Sequence, residues 1–263
     1  MIPHVLSIAG SDPSGGAGIQ ADLKTFSALR CYGMAAITAL TAQNTQGVSG
    51  VHVPPAEFVA AQISAIFADV RVDGVKIGML ASGDIVRAVA RELATHKPKI
   101  IILDPVLVAT SGDSLGAPDV VEAMQEYLFP LATLITPNLP EALRLAGAAE
   151  GTPVEALGAT LLGQGARAVL IKGGHAESAE AIDDLFWADK RMRFAAARVP
   201  TKNTHGTGCT LSSAICCHMA LGLTLADAVA ASKTYLTGAI FASDGLLVGT
   251  GHGPVHHFHA LWT

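Results

Sequence analysis

Charged residues are scarce in this chain, since Asp, Glu, Lys and Arg make up only 15% of its 263 residues. The formal net charge is -5, and like charges never form a block. A chain of this kind has no general attraction for nucleic acid or for anionic membranes, so neither is expected as a partner. Half of the residues are hydrophobic, which favours a compact, deeply buried interior over disorder.

Cysteine pairs and targeting segments are also missing. None of the four cysteines belongs to a C-x-x-C pair, and the N-terminus shows no basic region ahead of an apolar one. A reducing cytoplasm is therefore the expected location. Residues 204–226 carry no charged side chain, but their histidines, serines and threonines predict a buried helix after a polar loop rather than a membrane span.

Of two common nucleotide-binding motifs, one is absent and the other is incomplete. No Gly-Lys-Ser/Thr triplet follows a glycine-rich loop, which excludes a Walker A site. Residues 16–21 fit G-x-G-x-x-A, but they lie past the end of the first predicted strand, and the acidic residue that a dinucleotide site needs is replaced by Gln43. Two interpretations stay open: a flexible turn, or a loop that lets backbone approach a small ligand. We favour the second because Asp22, on the following helix, would face that ligand.

Apolar strands alternate with helical segments along most of the chain. Strands are predicted at 4–9, 34–41, 75–77, 100–103, 134–135 and 168–172, with a short extended piece at 51–53 and a hairpin at 185–188 and 192–196. Helices are predicted at 19–29, 55–68, 83–95, 210–221 and 225–243, with one from Pro118 and two between 138 and 168. Uninterrupted apolar strands imply that both faces of the sheet are covered. The sequence thus predicts an α/β fold, a three-layer α/β/α sandwich with a mostly parallel, doubly wound sheet and antiparallel edge strands, in one domain over residues 1–263.

Polar and glycine residues follow the ends of the predicted strands. In such sheets ligands bind beyond the carboxyl ends of the strands. We therefore expect these residues at one end of the sheet, joined by residues 205–209: Gly10, Gln43, Gly78, Asp104, Asn138 and Lys172.

Residues 203–210, Asn-Thr-His-Gly-Thr-Gly-Cys-Thr, are the most informative stretch of the chain. Their glycines let successive N–H groups turn inward as a nest, and the predicted helix behind them adds its positive end. The pattern predicts a site for a phosphate in transit at residues 206–209, the anion loop. We expect the helix field to lower the pKa of Cys209 and to favour its thiolate.

Three further patterns each admit two interpretations. Asn138 and Glu141, one helical turn apart, form either a Mg²⁺-holding pair beside nucleotide phosphates or a helix cap. Residues 172–175, Lys-Gly-Gly-His, form either a phosphate-contacting turn or a tight turn with a solvated lysine. Asp104 is either a metal- or phosphate-site carboxylate or a loop cap, and the small residues at 106–116 suit a loop that closes over a substrate.

Two groups of potential metal ligands are assigned no metal site. The C-terminal histidines match no standard spacing and are expected to be solvated: His252, His256, His257 and His259. Cys216 and Cys217 are expected in the core of a helix.

The longer motifs of the chain resemble one family nearly from end to end. They comprise residues 9–24, Gln43-Asn44-Thr45, residues 76–80, Asp104-Pro105-Val106, residues 136–138 with Glu141, and residues 172–175 and 205–210. This set resembles the hydroxymethylpyrimidine/phosphomethylpyrimidine kinases of thiamin synthesis, within the ribokinase-like group. The resemblance implies an α/β/α sandwich, the use of ATP with Mg²⁺, and a homodimer.

The resemblance also implies a role for each matched residue. Gly206, Thr207 and Gly208 would form the anion hole for the transferred phosphoryl group, and Cys209 would take the proton from the substrate's hydroxymethyl group. The implied ATP, phosphate and Mg²⁺ residues are Asp104, Asn138, Glu141, Lys172, Thr204 and Lys233, with Mg²⁺ at Asp104 and Glu141 mainly through water. The implied pyrimidine pocket consists of Gly10, Asp22, Gln43, Met79 and Val106.

The function that follows is ATP-dependent phosphorylation of 4-amino-5-hydroxymethyl-2-methylpyrimidine (hydroxymethylpyrimidine below) and then of its monophosphate to the pyrophosphate. The Gln43 amide can accept from the 4-amino group and donate to the adjacent ring nitrogen, so a ring lacking either group would leave the amide unsatisfied. Glutamine at this position also occurs in relatives that phosphorylate pyridoxal. Pyridoxal or pyridoxine kinase activity, alone or as a side activity, therefore stays open, as does a non-catalytic ligand-binding protein with the same pocket.

Overall fold

A computed structural model describes residues 1–107, 119–173 and 180–262. The strands of the described residues are β1 (His4–Ser11), β2 (Tyr32–Asn44), β3 (Gly47–His52), β4 (Gly74–Ile77), β5 (Ile101–Leu103), β6 (Leu134–Ile135), β7 (Ala168–Lys172), β8 (Glu180–Trp187) and β9 (Lys190–Ala197). They form one sheet in the order β3-β2-β1-β4-β5-β6-β7-β8-β9. Five neighbouring pairs of this sheet are parallel: β2–β1, β1–β4, β4–β5, β5–β6 and β6–β7. The pairs at its two edges, β2–β3, β7–β8 and β8–β9, are antiparallel. The predicted mostly parallel sheet with antiparallel edges is confirmed.

Helices cover both faces of this sheet. They are α1 (Gly18–Ala28), α2 (Ala56–Asp69), α3 (Gly83–His96), α4 (Val120–Ala123), α5 (Leu139–Ala146), α6 (Val154–Gly163), α7 (Thr207–Ala220) and α8 (Leu225–Phe241). A π-helical turn, Met124–Leu128, extends α4, and a 3-10 turn, Ser243–Leu246, follows α8. None of the described helices is long and apolar enough to cross a membrane.

Alternation of side chains along the strands divides the core into two layers. Leu6 and Ile8 of β1 pack with α2, α3 and the chain around α5 and α6, whereas Val5 packs on the opposite face with α1, α7 and α8. This is the pattern of strands buried on both sides. The α/β/α arrangement is thereby confirmed, while the extent of a single domain over residues 1–263 stays a prediction.

Several predicted boundaries shift in the structure. Strand β2 runs to Asn44 rather than to residue 41, because its last residues pair with β3 alone, and helix α7 begins at Thr207 rather than at residue 210. The predicted helix start at Pro118 and most of the loop 106–116 lie outside the described residues. Cys216 and Cys217 are fully buried, as expected.

The prediction that the C-terminal histidines are solvated is wrong for His257. Only 4% of His257 is exposed, and its Nε2 lies 3.1 Å from Oγ1 of Thr210, in the first turn of α7. Burial lowers the pKa of His257 to about 3, and the charge of Lys24 acts in the same direction. The C-terminal chain is therefore packed against the helix that carries the anion loop.

Candidate active site

A cavity of about 720 Å³ opens at the carboxyl ends of the parallel strands. Every predicted site residue except Asp22 lines it: Gly10, Gln43, Met79, Val106, Asp104, Asn138, Glu141, Lys172, Thr204, Gly206, Thr207, Gly208, Cys209 and Lys233. The expected convergence of the strand exits is thus confirmed for Gly10, Gln43, Asp104, Asn138 and Lys172, whereas Gly78 is not a lining residue. Because they line one cavity, these residues can contact the same set of ligands.

The anion loop forms the N-terminus of α7. Gly206 is the N-cap residue with a φ of 79°, in the left-handed region that favours glycine. A Cβ atom at Gly206 would also collide with the backbone carbonyl of Gly16 in the loop before α1. The chain therefore turns tightly here, and the helix begins within residues that line the cavity. N–H groups at the start of a helix lack an intrahelical acceptor, although that of Thr207 donates to the Thr204 carbonyl at 3.3 Å.

Asp104 and Lys172 lie directly beside the anion loop. Nζ of Lys172 donates to Oδ1 of Asp104 at 2.6 Å, and a Cβ atom built on Gly208 would lie 3.1 Å from that Nζ. Thr136 Oγ1 also donates to Asp104 Oδ1, at 2.9 Å. Burial opposes ionisation of Asp104, but the Lys172 and Lys76 ammonium groups hold its pKa below the ordinary value. A carboxylate and an ammonium group are thus available at the anion loop.

Asn138 and Glu141 form a capping box at the start of α5. Asn138 Oδ1 accepts from the Glu141 N–H at 2.8 Å, and Glu141 Oε2 accepts from the Asn138 N–H at 2.8 Å. The helix-cap interpretation is therefore confirmed, and both residues still line the cavity. Burial raises the pKa of Glu141 to about 7, against the opposing charge of Lys172.

The prediction that Cys209 has a lowered pKa is wrong. Burial raises the pKa of Cys209 to about 11; the Lys76 ammonium opposes this, while Asp22 and Asp104 add to it. The half-buried thiol is therefore the resting form at neutral pH. The helix terminus does not compensate for the loss of water and the two nearby carboxylates.

The structure also corrects the placement of Asp22. Its carboxylate is fully buried and does not line the cavity. Nζ of Lys76 lies 2.9 Å from both carboxylate oxygens, and Ser7 and Ser213 donate to them at 2.6 and 2.7 Å. All of these partners come from the core, so Asp22 supports the cavity floor instead of contacting a ligand.

An apolar corner of the cavity contains most of the predicted pyrimidine pocket. Met79 packs with Ala39 and Val106, and a Cβ atom on Gly10 would lie 3.1 Å from the Met79 sulfur. Gln43 stands at the edge of this corner, where its Oε1 lies 3.1 Å from the Thr41 hydroxyl. A flat heteroaromatic ring could pack against the apolar side chains of this corner and hydrogen-bond to the Gln43 amide.

The opposite end of the cavity has an apolar wall with one buried ion pair. Nζ of Lys233 donates to Oδ2 of Asp183 at 2.7 Å, and Asp183 also accepts from the N–H of Gly173. Thr204 is exposed on the rim. The wall is formed by Ala181, Ala196, Ala197, Val199, Leu211, Leu236 and Ile240. Gly174 and His175 of the predicted lysine turn lie outside the described residues.

Sequence reasoning assigned no role to Asp12, His205 or Lys76, which also line the cavity. Asp12 accepts from His205 Nε2 at 2.7 Å, from the Ser14 hydroxyl and from the N–H of Ala17. A lysine inside the apolar run of β4 was the available clue to Lys76, because a buried charge requires a partner. Asp12 and His205 each lie within a recognised motif, but no local pattern joins two residues so far apart.

Each lysine that lines the cavity is paired with a carboxylate. The pairs are Lys76 with Asp22, Lys172 with Asp104, and Lys233 with Asp183. His205 forms a fourth pair with Asp12. Each of these three ammonium groups thus lies close to a neutralising carboxylate.

Comparisons with known proteins agree on one family. The sequence profile of phosphomethylpyrimidine kinase matches residues 12–256. The hydroxymethylpyrimidine/phosphomethylpyrimidine kinase of Salmonella typhimurium is 52% identical over 262 residues, covering 98% of both chains. A crystal structure of phosphomethylpyrimidine kinase from Clostridium difficile is 43% identical with a TM-score of 0.80, covering 90% of this chain and 99% of that one. The ADP complex of Bacillus subtilis pyridoxal kinase is 34% identical with a TM-score of 0.91, covering 100% of both.

Proposed function

The chain belongs to the phosphomethylpyrimidine kinase family, and we propose that its cavity transfers the terminal phosphoryl group of ATP first to hydroxymethylpyrimidine and then to the resulting monophosphate, as part of thiamin synthesis. One observation carries this proposal. The anion loop, the Lys172–Asp104 pair and the Gln43 corner all line a single cavity. A donor, a transferred group and a small acceptor can therefore be aligned in one space.

In the first step the hydroxymethyl oxygen attacks the γ-phosphorus, the bond from that phosphorus to ADP breaks, and the alcohol loses its proton. Backbone N–H groups of the anion loop donate to the equatorial oxygens of the transferred group. Cys209 is the proposed proton acceptor. Since its resting form is the thiol, Cys209 must first release its own proton to solvent, a loss that the nearby Lys76 ammonium favours.

Mg²⁺ fits the part of the cavity that is proposed to hold ATP. Mg²⁺ prefers oxygen ligands and is usually held by one or two carboxylates, water and substrate phosphates. Asp104 and Glu141 supply two carboxylates there, and the described residues contain no cluster of three or more metal-ligating side chains. Bound Mg²⁺ would neutralise charge on the phosphates, with Asn138, Thr204 and Lys233 as further proposed nucleotide contacts and Lys172 at the transferred phosphoryl group.

A second candidate activity is the phosphorylation of pyridoxal. The likeness to Bacillus subtilis pyridoxal kinase over the full chain favours it. Gln43 is compatible with it, because the amide can make one hydrogen bond to a pyridine ring, although a ring without the 4-amino group leaves the rest of the amide unsatisfied. We propose this as a side activity that shares Gly10, Gln43, Met79 and Val106.

We further propose a cytoplasmic homodimer. The β2–β3 edge exposes the apolar side chains Leu40, Val51 and Val53, with Phe58 nearby at the start of α2. An exposed apolar edge strand is suited to contact with a second copy. Sedimentation of the purified protein tests this directly, and a monomer at micromolar concentration would refute it.

The function is tested by coupled ADP release with hydroxymethylpyrimidine, its monophosphate and pyridoxal as separate acceptors. We expect turnover of both pyrimidines, with pyridoxal slower. Cys209→Ala should reduce turnover by orders of magnitude while ATP still binds. ATP binding without turnover of any acceptor would instead identify a non-catalytic binding protein.

A further inference from the structure

The part of the acceptor pocket that holds Gln43 extends beyond the body of the sheet. Pairing between β1 and β2 ends at Ser11 and Leu40. From Thr41 to Asn44, β2 pairs only with β3, and the register is irregular between Ala42 and Gln43. A two-stranded ribbon is marginally stable on its own. The position of Gln43 therefore depends on whatever else holds the tip of this ribbon.

The tip is held by residues 249–254, the crossing segment, about 200 residues further along the chain. Thr45 Oγ1 accepts from the Gly251 N–H at 3.2 Å, and the Thr45 carbonyl accepts from the His252 N–H at 2.9 Å. Gln46 Nε2 donates to the Thr250 hydroxyl at 2.9 Å. Three hydrogen bonds thus fix the turn that directly follows Gln43 and Asn44.

Close approach at this junction requires a residue without a side chain. A Cβ atom on Gly251 would collide with the carbonyl of Thr45, which belongs to the backbone and cannot rotate away. Gly251 has no positive φ, so alanine is excluded by this contact alone and not by backbone strain. A substitution at Gly251 therefore disturbs the contact between the crossing segment and Thr45 specifically.

The C-terminal end of the crossing segment contacts the residue that precedes the anion loop. The Gly253 carbonyl accepts from the His205 N–H at 3.0 Å, and Pro254 pairs with His205 in a parallel bridge. Asn203 leaves no room for a side chain at Gly253. The same six residues thus contact the turn after Gln43 at one end and the residue preceding the anion loop at the other.

We propose that the crossing segment, through Gly251 and Thr45, positions Gln43 relative to the anion loop, and so sets the distance between the acceptor ring and the transferred phosphoryl group. Thr45 is two residues from Gln43, and Gly251 does not line the cavity. Both are positioning residues. This inference rests on the proposed function, because it specifies how the acceptor end of that site is held.

The test compares Gly251→Ala with Gly245→Ala. A side chain on Gly245 meets nothing within 4 Å, and Gly245 lies just before the crossing segment, so it is a matched control. We expect Gly251→Ala to raise the KM for hydroxymethylpyrimidine by roughly tenfold to a hundredfold, as for a displaced positioning group, and to leave the KM for ATP within about twofold. The Kd for hydroxymethylpyrimidine without ATP, measured by calorimetry, should rise in parallel.

Thr45→Val removes the hydroxyl acceptor with little change in shape and covers the case in which Gly251→Ala does not fold. It should give a smaller change of the same kind. Equal effects on both KM values, or an effect of Gly245→Ala as large as that of Gly251→Ala, would overturn the inference. Failure of the proposed function is separate, because it would appear as absent turnover in the wild-type protein.

Discussion

His205 Nε2 and Asp12 Oδ2 lie 2.7 Å apart although 193 residues separate them in the sequence. Both side chains are almost fully buried. Asp12 also accepts from the N–H of Ala17, while His205 directly precedes the anion loop. This pair therefore ties the glycine-rich loop before α1 to the anion loop.

Replacing Asp12 should misalign these two loops. Asp12→Asn removes the negative charge that faces His205, Ser14 and the N–H of Ala17. Burial opposes ionisation of Asp12, but the hydrogen bonds from His205 and Ser14 hold its pKa below the ordinary value. We expect kcat to fall by roughly tenfold to a hundredfold. Steady-state kinetics check this, with the exposed Asp189→Asn as control. An unchanged kcat would show that the loops align without the pair.

The reactivity of Cys209 should report its raised pKa. With a pKa of about 11, the thiolate fraction at pH 8 is about one in a thousand, far below that of an ordinary cysteine. Alkylation by iodoacetamide, followed by peptide mass spectrometry, should therefore be slow at pH 8 and accelerate up to pH 11. Turnover should rise with pH over the same range if Cys209 accepts the alcohol proton. Rapid labelling at pH 8 would contradict the raised pKa of Cys209.

Gln43→Leu should weaken the binding of hydroxymethylpyrimidine and leave the binding of ATP unchanged. The substitution replaces the amide side chain of this cavity-lining residue by an apolar one of somewhat smaller size. The KM for hydroxymethylpyrimidine should increase roughly tenfold or more, since polar groups of the ring lose their partner. Initial rates with each substrate varied in turn measure this. A similar increase in the KM for ATP would mean that Gln43 has a structural role only.

Asp22 is expected to matter for stability. Asp22→Asn leaves the fully buried Lys76 ammonium without a counter-charge, which costs about 3–5 kcal/mol when a buried pair is broken. Urea unfolding measures the loss. The double variant Asp22→Leu/Lys76→Met, which removes both charges, should regain much of it. A stable Asp22→Asn protein with a raised KM for the pyrimidine would restore the direct ligand contact predicted from sequence.

His257 should make the fold sensitive to acid. The pKa of His257 is about 3 when folded and 6.5 at its ordinary value, so below pH 6.5 only the unfolded chain takes up this proton. The free energy of unfolding therefore falls as the pH drops from 6.5 towards 3, by up to about 1.4 kcal/mol per pH unit from this group. His257→Gln should flatten the slope in urea titrations, whereas exposed His52→Gln should not. Identical slopes in all three proteins would exclude His257 as the source.

The sequence was most informative where local chemistry determines structure. The alternating apolar strands predicted the layers, and the glycines of residues 206–209 predicted the turn at the start of α7. The Asn138–Glu141 spacing predicted the capping box as one of two alternatives. Each of these depends on residues close together in the chain.

Other features depend on contacts that no local pattern encodes. The pKa of Cys209 is raised because burial, together with the distant Asp22 and Asp104, outweighs the opposing Lys76 ammonium. Asp22 lies on the expected helix, but the partner that determines its role, Lys76, comes from a strand 54 residues away. The junction between Thr45 and Gly251 likewise exists only in the folded chain.

The pairing of each cavity lysine with a carboxylate has a consequence for selectivity. A bare anion such as free inorganic phosphate gains little from Lys172, because Asp104 already occupies its ammonium group and would repel the newcomer. When a ligand carries its own cation, that cation can bind the Asp104 carboxylate, and the Lys172 ammonium group can then bind the ligand's phosphates. On the proposed function, this pairing would discriminate against the abundant small anions of a cell and favour a triphosphate that carries a metal ion.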